Sequence, residues 1–432
     1  MPTIGEHIKV IIRDNNLTAL LGIILFPLFL SLAPSVYGAV NVLAALLLLV
    51  GLMGGWQHLK ALSGSVRYVW LAFGLYVIGA LLSLINNDNW DLAAWRFERY
   101  YPFLLVIPLF GIFYQAHRYI LYTLLAGVFV GSIGMAAACF NELYILNEAR
   151  AGDSTGINEN TLAHLAYVYA AISLAAIITL RLARRWKALL LCGMMAAVFA
   201  GIATGSRGAL LAFFVMLFVL VILKINTKSI SRKIKLSVLF GSGFLILLII
   251  TDINYNAFWS GHLEKVGVQV GAFFSGDYTR SSIGVRLLMW MAAWKIFLAH
   301  PLIGTGIGDQ RDDLVALQLV GDIPNMGPAA YSTFHNFYFD ALAMTGLFGF
   351  CAMLLALFIV PGWLFWQAWL VTRHHEVQEN FYPLAGILIL VVSAFYGLTA
   401  SWLYLRGLPI ILIIMVVLLT GCDRILVTKK PS

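Results

Sequence analysis

Charge is scarce in this chain. Only 11% of its 432 residues are Asp, Glu, Lys or Arg, 61% are hydrophobic, and the mean hydropathy is +0.89. A soluble domain carries roughly a quarter of its residues as charges, so a water-soluble fold is excluded and a polytopic membrane protein remains. Cysteine is also scarce. Cys139, Cys192, Cys351 and Cys422 lie within or beside apolar runs, which implies neither a disulfide framework nor a zinc site. No low-complexity linker and no internal repeat interrupts the chain. The net charge of +8 does not point to nucleic acid, because the cations sit in short clusters between apolar runs, where the bilayer and its anionic lipids account for them.

At about 17 to 25 residues per crossing, the apolar runs read as about twelve transmembrane spans. They fall near 17–37, 38–55, 68–86, 101–116, 119–140, 161–180, 187–204, 207–223, 236–252, 336–360, 382–400 and 405–421. The first follows Lys9 and Arg13 with no small-x-small cleavage site, and reads as an uncleaved helix. Only Gly205-Ser206 separates the seventh from the eighth, so a broken or re-entrant helix is one reading there.

Placing the N-terminus in the cytoplasm puts most of the basic residues on one side. These are Lys9 and Arg13, Lys60 and Arg67, Arg118, Arg181 to Lys187, Lys224 to Lys235, Arg373, and Arg424, Lys429 and Lys430 in the tail. The opposite side is acidic on balance. It receives three segments, Asn86–Tyr100, Asn141–Asn160 and a long stretch from Ile253 to Phe334. The layout is therefore nine helices over 1–252, a periplasmic loop with amphipathic helices over 253–334, and three helices with a cytoplasmic tail over 335–432.

A loop of about eighty residues has its own structure or a function. Gly284–His300 is its best helix, with Leu287, Trp290, Met291, Trp294, Phe297 and Leu298 at helical spacing and Arg286 and Lys295 among them, as in a helix lying along the outer interface. Gly304-Thr305-Gly306-Ile307-Gly308 follows it. No strand precedes this run, so it reads as a flexible turn rather than a nucleotide loop.

Chemistry-bearing residues gather on the acidic side. His335 stands at the mouth of the tenth span, either hydrogen-bonded to a loop carbonyl or serving as a general base, which its near-neutral unperturbed pKa of about 6.5 would suit. Asn336 follows it, and Asp340 lies one turn further on as a support or a substrate contact, since an acid just inside a span seldom lacks a partner. Arg207, flanked by Gly205 and Gly208, either snorkels or binds an anion; Arg286 either meets lipid headgroups or does the same. Two arginines grip a diphosphate through paired charge-assisted hydrogen bonds without a metal. No outward loop holds the Asp-x-Asp pair of a metal-dependent sugar transferase, and Asp312-Asp313 reads as solvated surface. His164 and Asp252, near span ends, are either satisfied structurally or touch substrate.

His335-Asn336, nine residues, then Gly346-x-x-Gly349, after a large outward loop, resembles the O-antigen ligase family. The likeness extends to Gly205-Ser206-Arg207-Gly208, to Arg286-x-x-x-Trp290 followed by Pro301-Leu302-Ile303-Gly304-Thr305-Gly306, and to Arg150–Asn160, where Glu159 replaces a proline typical of that family. The resemblance implies an all-α fold of the large transmembrane glycosyltransferase (GT-C) type in a bacterial inner membrane, with its site facing the periplasm and no cofactor or metal. The implied donor is an undecaprenyl-diphosphate-linked glycan and the implied acceptor a lipid A-core sugar hydroxyl. It assigns His335 as the base and Arg207 and Arg286 as diphosphate ligands; Asn336, Asp340, Arg150 and Trp290 are candidate supporting residues. The same motifs fit an O-antigen polymerase or a protein O-oligosaccharyltransferase using the same donor. A lipid or glycan transporter would want an inverted repeat and charges within the spans, and neither is visible.

Overall fold

The computed structural model describes residues 17–36, 38–62, 64–148, 150–152, 157–225, 282–324, 333–373, 378–401 and 407–428. The expected span at 236–252 and Asp252 lie outside them. Among the described residues the chain is all helical. In order the helices are α1 (Leu17–Leu32), α2 (Ala39–Gly54), α3 (Gly64–Ser83), α4 (Trp90–Phe97), α5 (Pro102–Leu105), α6 (Ile107–Gln115), α7 (His117–Phe140) and α8 (Glu159–Thr179). They continue as α9 (Arg184–Ala203), α10 (Arg207–Ile225), α11 (Ser282–Ala299), α12 (Gln310–Leu319), α13 (Phe337–Leu354), α14 (Val360–Thr372), α15 (Phe381–Gly397) and α16 (Leu408–Thr428).

Six helical runs among the described residues are long and apolar enough to cross a bilayer: 64–86, 119–145, α8, α9, 337–372 and α16. Four shorter apolar helices, α1, α2, 207–223 and α15, accompany them, and the chain is a polytopic membrane protein. Two expected spans differ from what forms. The fourth divides at Val106 into α5 and α6, because Pro102 and Pro108 lack an N–H and so favour helix starts. The tenth is longer than expected. It runs on through a π-helical turn at Leu355–Ile359 into α14, and it is kinked at Gly346, where φ is 62° and ψ is −167°.

The bundle is built around α8 and α16, which are buried almost throughout. On α8 the reason is side-chain size. Ala163, Ala166, Ala170, Ala171, Ser173, Ala175 and Ala176 leave room for α7, α9, α10 and α15 to approach closely, as membrane helices do where no hydrophobic gain drives them together. The seventh and eighth spans are two separate helices with a turn at 204–206. After it α10 diverges from α9 to pack along α15.

The glycine run after α11 is not a flexible turn. At the Gly346 kink the helix releases backbone groups, and the loop takes them up. Thr305 N and Gly306 N donate to Ala343 O and Met344 O at 3.1 Å each, while Leu347 N and Phe348 N donate to Pro301 O and Leu302 O at 2.8 and 3.1 Å. Backbone meets backbone so closely that a Cβ on Gly304 would lie 2.3 Å from Met344 C, and one on Gly346 would lie 2.5 Å from Gly304 N. The segment 86–99 locks the other side of the loop. Asn86 Nδ2 donates to Gly304 O (2.8 Å), Gly308 N to Asn87 Oδ1 (2.8 Å), and the buried Arg96 to Ile307 O (2.8 Å). Asp309 accepts from Asp88 N and Asn89 N at 2.8 and 2.7 Å, and Asp312 from Asn89 Nδ2 at 2.8 Å, so Asp312 is a fastening as well as a solvated acid.

Helix α11 has two apolar faces. Leu288, Met289, Ala292, Ala293 and Ile296 pack with Leu314, Ile323, Phe334 and Ala343 in a small second core. Met291, Trp294 and Leu298, which carried the sequence periodicity, stay exposed. The spacing thus marked the outer stripe, and the stripe that docks the helix against α13 lies beside it.

Candidate active site

Residue 335 is held from both neighbours. On one side Phe334 N donates to Asp340 Oδ1 at 2.8 Å, and Trp290 Nε1 donates to Phe334 O at 3.1 Å. Asp340 Oδ1 also accepts from Gln310 Nε2 at 3.2 Å, and the Trp290 ring lies over Phe339 with centroids 5.8 Å apart. On the other side Asn336 caps α13. Its Oδ1 accepts from Tyr338 N and Phe339 N at 3.0 and 3.2 Å, and its Nδ2 donates to Leu398 O at 3.1 Å. His335 between them has a φ of +51°, a left-handed conformation that costs a side-chain-bearing residue roughly 1–3 kcal/mol and persists only where the surroundings over-determine it.

The half-buried His335 imidazole is held below the ordinary histidine pKa, first by burial and then by the charge of Arg286. It is therefore neutral near pH 7 and able to accept a proton. Arg286, in the first turns of α11, is itself half-buried, and burial pulls its own pKa down while the Tyr396 phenol acts the other way. A guanidinium has ample margin to stay charged.

A second basic group lies at the turn between α9 and α10. Gly205, at φ +66°, turns the chain, and the Arg150 side chain covers it. Arg150 Nε donates to Thr204 O at 2.8 Å, and its Nη1 stands 3.4 Å from Glu159 Oε1; Ala151 N donates to Ala203 O at 3.2 Å. Arg207 opens α10, exposed, close enough to Arg150 for their like charges to repel.

Tyr396 joins the two groups. It is buried near the end of α15, with Thr161 beside its hydroxyl and both Arg286 and Glu159 within electrostatic reach. Its ring lies against His164 at 4.4 Å, and His164 Nε2 bonds Ser393 Oγ at 3.0 Å. His164 is thus a buried, hydrogen-bonded floor beneath Tyr396, the structural one of its two sequence readings.

All the described candidates meet at one end of the bundle, where α8, α10 and α13 begin and α9 and α15 finish. Arg67, Arg184, Arg185, Lys187, Arg373 and Arg424 belong to helix ends at the other. His335 and Arg286 form one cluster, Arg207 and Arg150 the other, while Asn336, Asp340 and Trp290 touch the backbone around His335. Tyr396, Glu159 and Gln310 had not been singled out as site residues. Tyr396 sits in an apolar run with nothing local to mark it, whereas Glu159 was visible as a departure from a familiar pattern. Chemically, the arrangement offers an imidazole beside a guanidinium and two further guanidinium groups at the same end of the bundle, which suits proton removal beside a bound polyanion.

A comparison with curated proteins found no match. Residues 192–355, which include Arg207, Arg286, Trp290, His335 and the kink, match the family model described as O-antigen ligase.

Proposed function

We propose that this protein transfers a glycan from undecaprenyl diphosphate to a sugar hydroxyl of lipid A-core, at the periplasmic face of the bacterial inner membrane. The observation that carries the reading is the pairing of His335 with Arg286, a base kept neutral beside a cation, inside the segment that matches the O-antigen ligase family. A sugar hydroxyl is a poor nucleophile until its proton is leaving, and His335 takes that proton. The anomeric carbon inverts as the acceptor oxygen bonds to it and the diphosphate oxygen departs with the electron pair. Arg207 and Arg286 meet the charge that develops on the diphosphate, in place of a metal. The basic residues at the far end of the bundle support the periplasmic orientation through the positive-inside rule. We read the chain as about twelve spans in a GT-C-type fold, with a periplasmic loop over 253–334.

The test uses purified protein, undecaprenyl-diphosphate glycan and lipid A-core in excess chelator, with His335→Ala alongside. Transfer that survives chelation and disappears in the variant is expected. Glycan chains that lengthen when donor alone is supplied, with no product on lipid A-core, would replace the ligase reading with a polymerase.

A further inference from the structure

Two guanidinium groups converge on the α9–α10 turn, and the acid beside them meets them poorly. Arg150 is anchored through Nε to Thr204 O at 2.8 Å, and Arg207 starts the next helix, so the backbone brings their like charges together. The ion pair here, Arg150 Nη1 to Glu159 Oε1, spans 3.4 Å, with side-chain exposures of 50% and 24%. A well-made charge-assisted bond is about 2.7–2.9 Å, and an exposed pair is worth at most about 1 kcal/mol. Glu159 is also not free to follow a ligand, because it is the first residue of α8, directly after the Asn158 cap.

We propose that Glu159 is a counter-ion that the diphosphate displaces: Arg150 belongs to the diphosphate site, and in the empty protein Glu159 occupies it. On binding, Arg150 keeps its Nε bond to Thr204 and turns its Nη face from the carboxylate to a phosphate oxygen. Arg207, at the same turn, takes another. No covalent bond changes; one weak, half-solvated ion pair is exchanged for a stronger one. Glu159 thereby sets how tightly the anion is held, and its charge favours release of the spent lipid diphosphate after transfer. This rests on the diphosphate reading of the site and adds to it a residue that opposes binding.

The experiment measures binding of undecaprenyl diphosphate and of inorganic pyrophosphate to the full-length protein in detergent, for the natural chain, Glu159→Gln, Arg150→Gln, the double variant and Arg207→Gln. Glu159→Gln is expected to tighten binding by roughly three- to tenfold, as loss of a competing partner for Arg150 would. Arg150→Gln should weaken it by a similar factor, and the double variant should behave as Arg150→Gln does, because Glu159 acts through Arg150. Unchanged or weaker binding by Glu159→Gln overturns the inference. Binding that depends on Arg207 but not on Arg150 or Glu159 overturns the inference alone and leaves the diphosphate site standing. Absence of binding of either anion to every form overturns both.

Discussion

Asp340 Oδ1 accepts the backbone N–H of Phe334 at 2.8 Å, one residue before the histidine. The carboxylate thereby bears on His335 through the chain. Asp340→Ala should leave Phe334 N and Gln310 Nε2 without an acceptor in a buried place, at about 1–3 kcal/mol. Transfer is expected to fall at least about tenfold, in kcat rather than in donor KM. Asp340→Asn keeps an acceptor oxygen and should retain more activity. Steady-state kinetics with melting in detergent separates the two losses, and equal activity in both variants would remove Asp340 from the positioning of His335.

Trp290 does the corresponding work on Phe334 O. Trp290→Phe preserves the aromatic layer over Phe339 and removes one hydrogen bond, worth about 1 kcal/mol. A several-fold loss of turnover with little change in melting temperature is the expected result. Trp290→Ala, which also empties part of the contact between α11 and α13, should lower both.

Gly346 tests the kink. Its φ and ψ, 62° and −167°, fall in a region essentially closed to residues with a Cβ, and an added Cβ would run into the backbone of 302–304. Gly346→Ala should cost about 2 kcal/mol or more and appear as a lower melting temperature and reduced yield from membranes. A variant that melts like the natural protein would mean the loop and helix part easily there.

The pH profile follows from the neighbours of His335. In the proposed reaction activity requires the neutral imidazole, so it should fall as pH drops through the His335 pKa, which burial and Arg286 hold below the ordinary value of about 6.5. Arg286→Gln removes the cation, raises that pKa, and should move the acid limb of the rate profile to higher pH as well as slowing transfer. For stability the sign is the same. The unfolded chain binds this proton more tightly, so the contribution is complete above about 6.5 and is lost as pH falls toward the lowered folded value. An acid limb that does not move in Arg286→Gln would separate the two residues electrostatically.

How much of the site could be read in advance differs from residue to residue. His335-Asn336, Gly346 and Gly349, Arg207 with its glycines and Arg286 with Trp290 stand out because their spacing is local and their types are unusual in so apolar a chain. Tyr396 does not, since it is one aromatic residue in a run of them, and its place beside Arg286 and Glu159 comes from the packing of α15 on α8. The glycines at 304 and 306 were legible as a turn, but their partners on α13 are some forty residues away.

Scarcity of charge and the length of the apolar runs decided by themselves that this is a helical membrane protein, because a bilayer offers a backbone no partners outside the helix. The placing of cations between those runs predicted at which end of the bundle the candidate residues would collect. Tertiary structure alone decided that His335 is left-handed and neutral, that Asp340 and Trp290 reach it through Phe334, and that Glu159 stands against Arg150. Several of these depend on contacts that local spacing does not reveal, because the field and burial at a side chain come from whatever folding brings beside it.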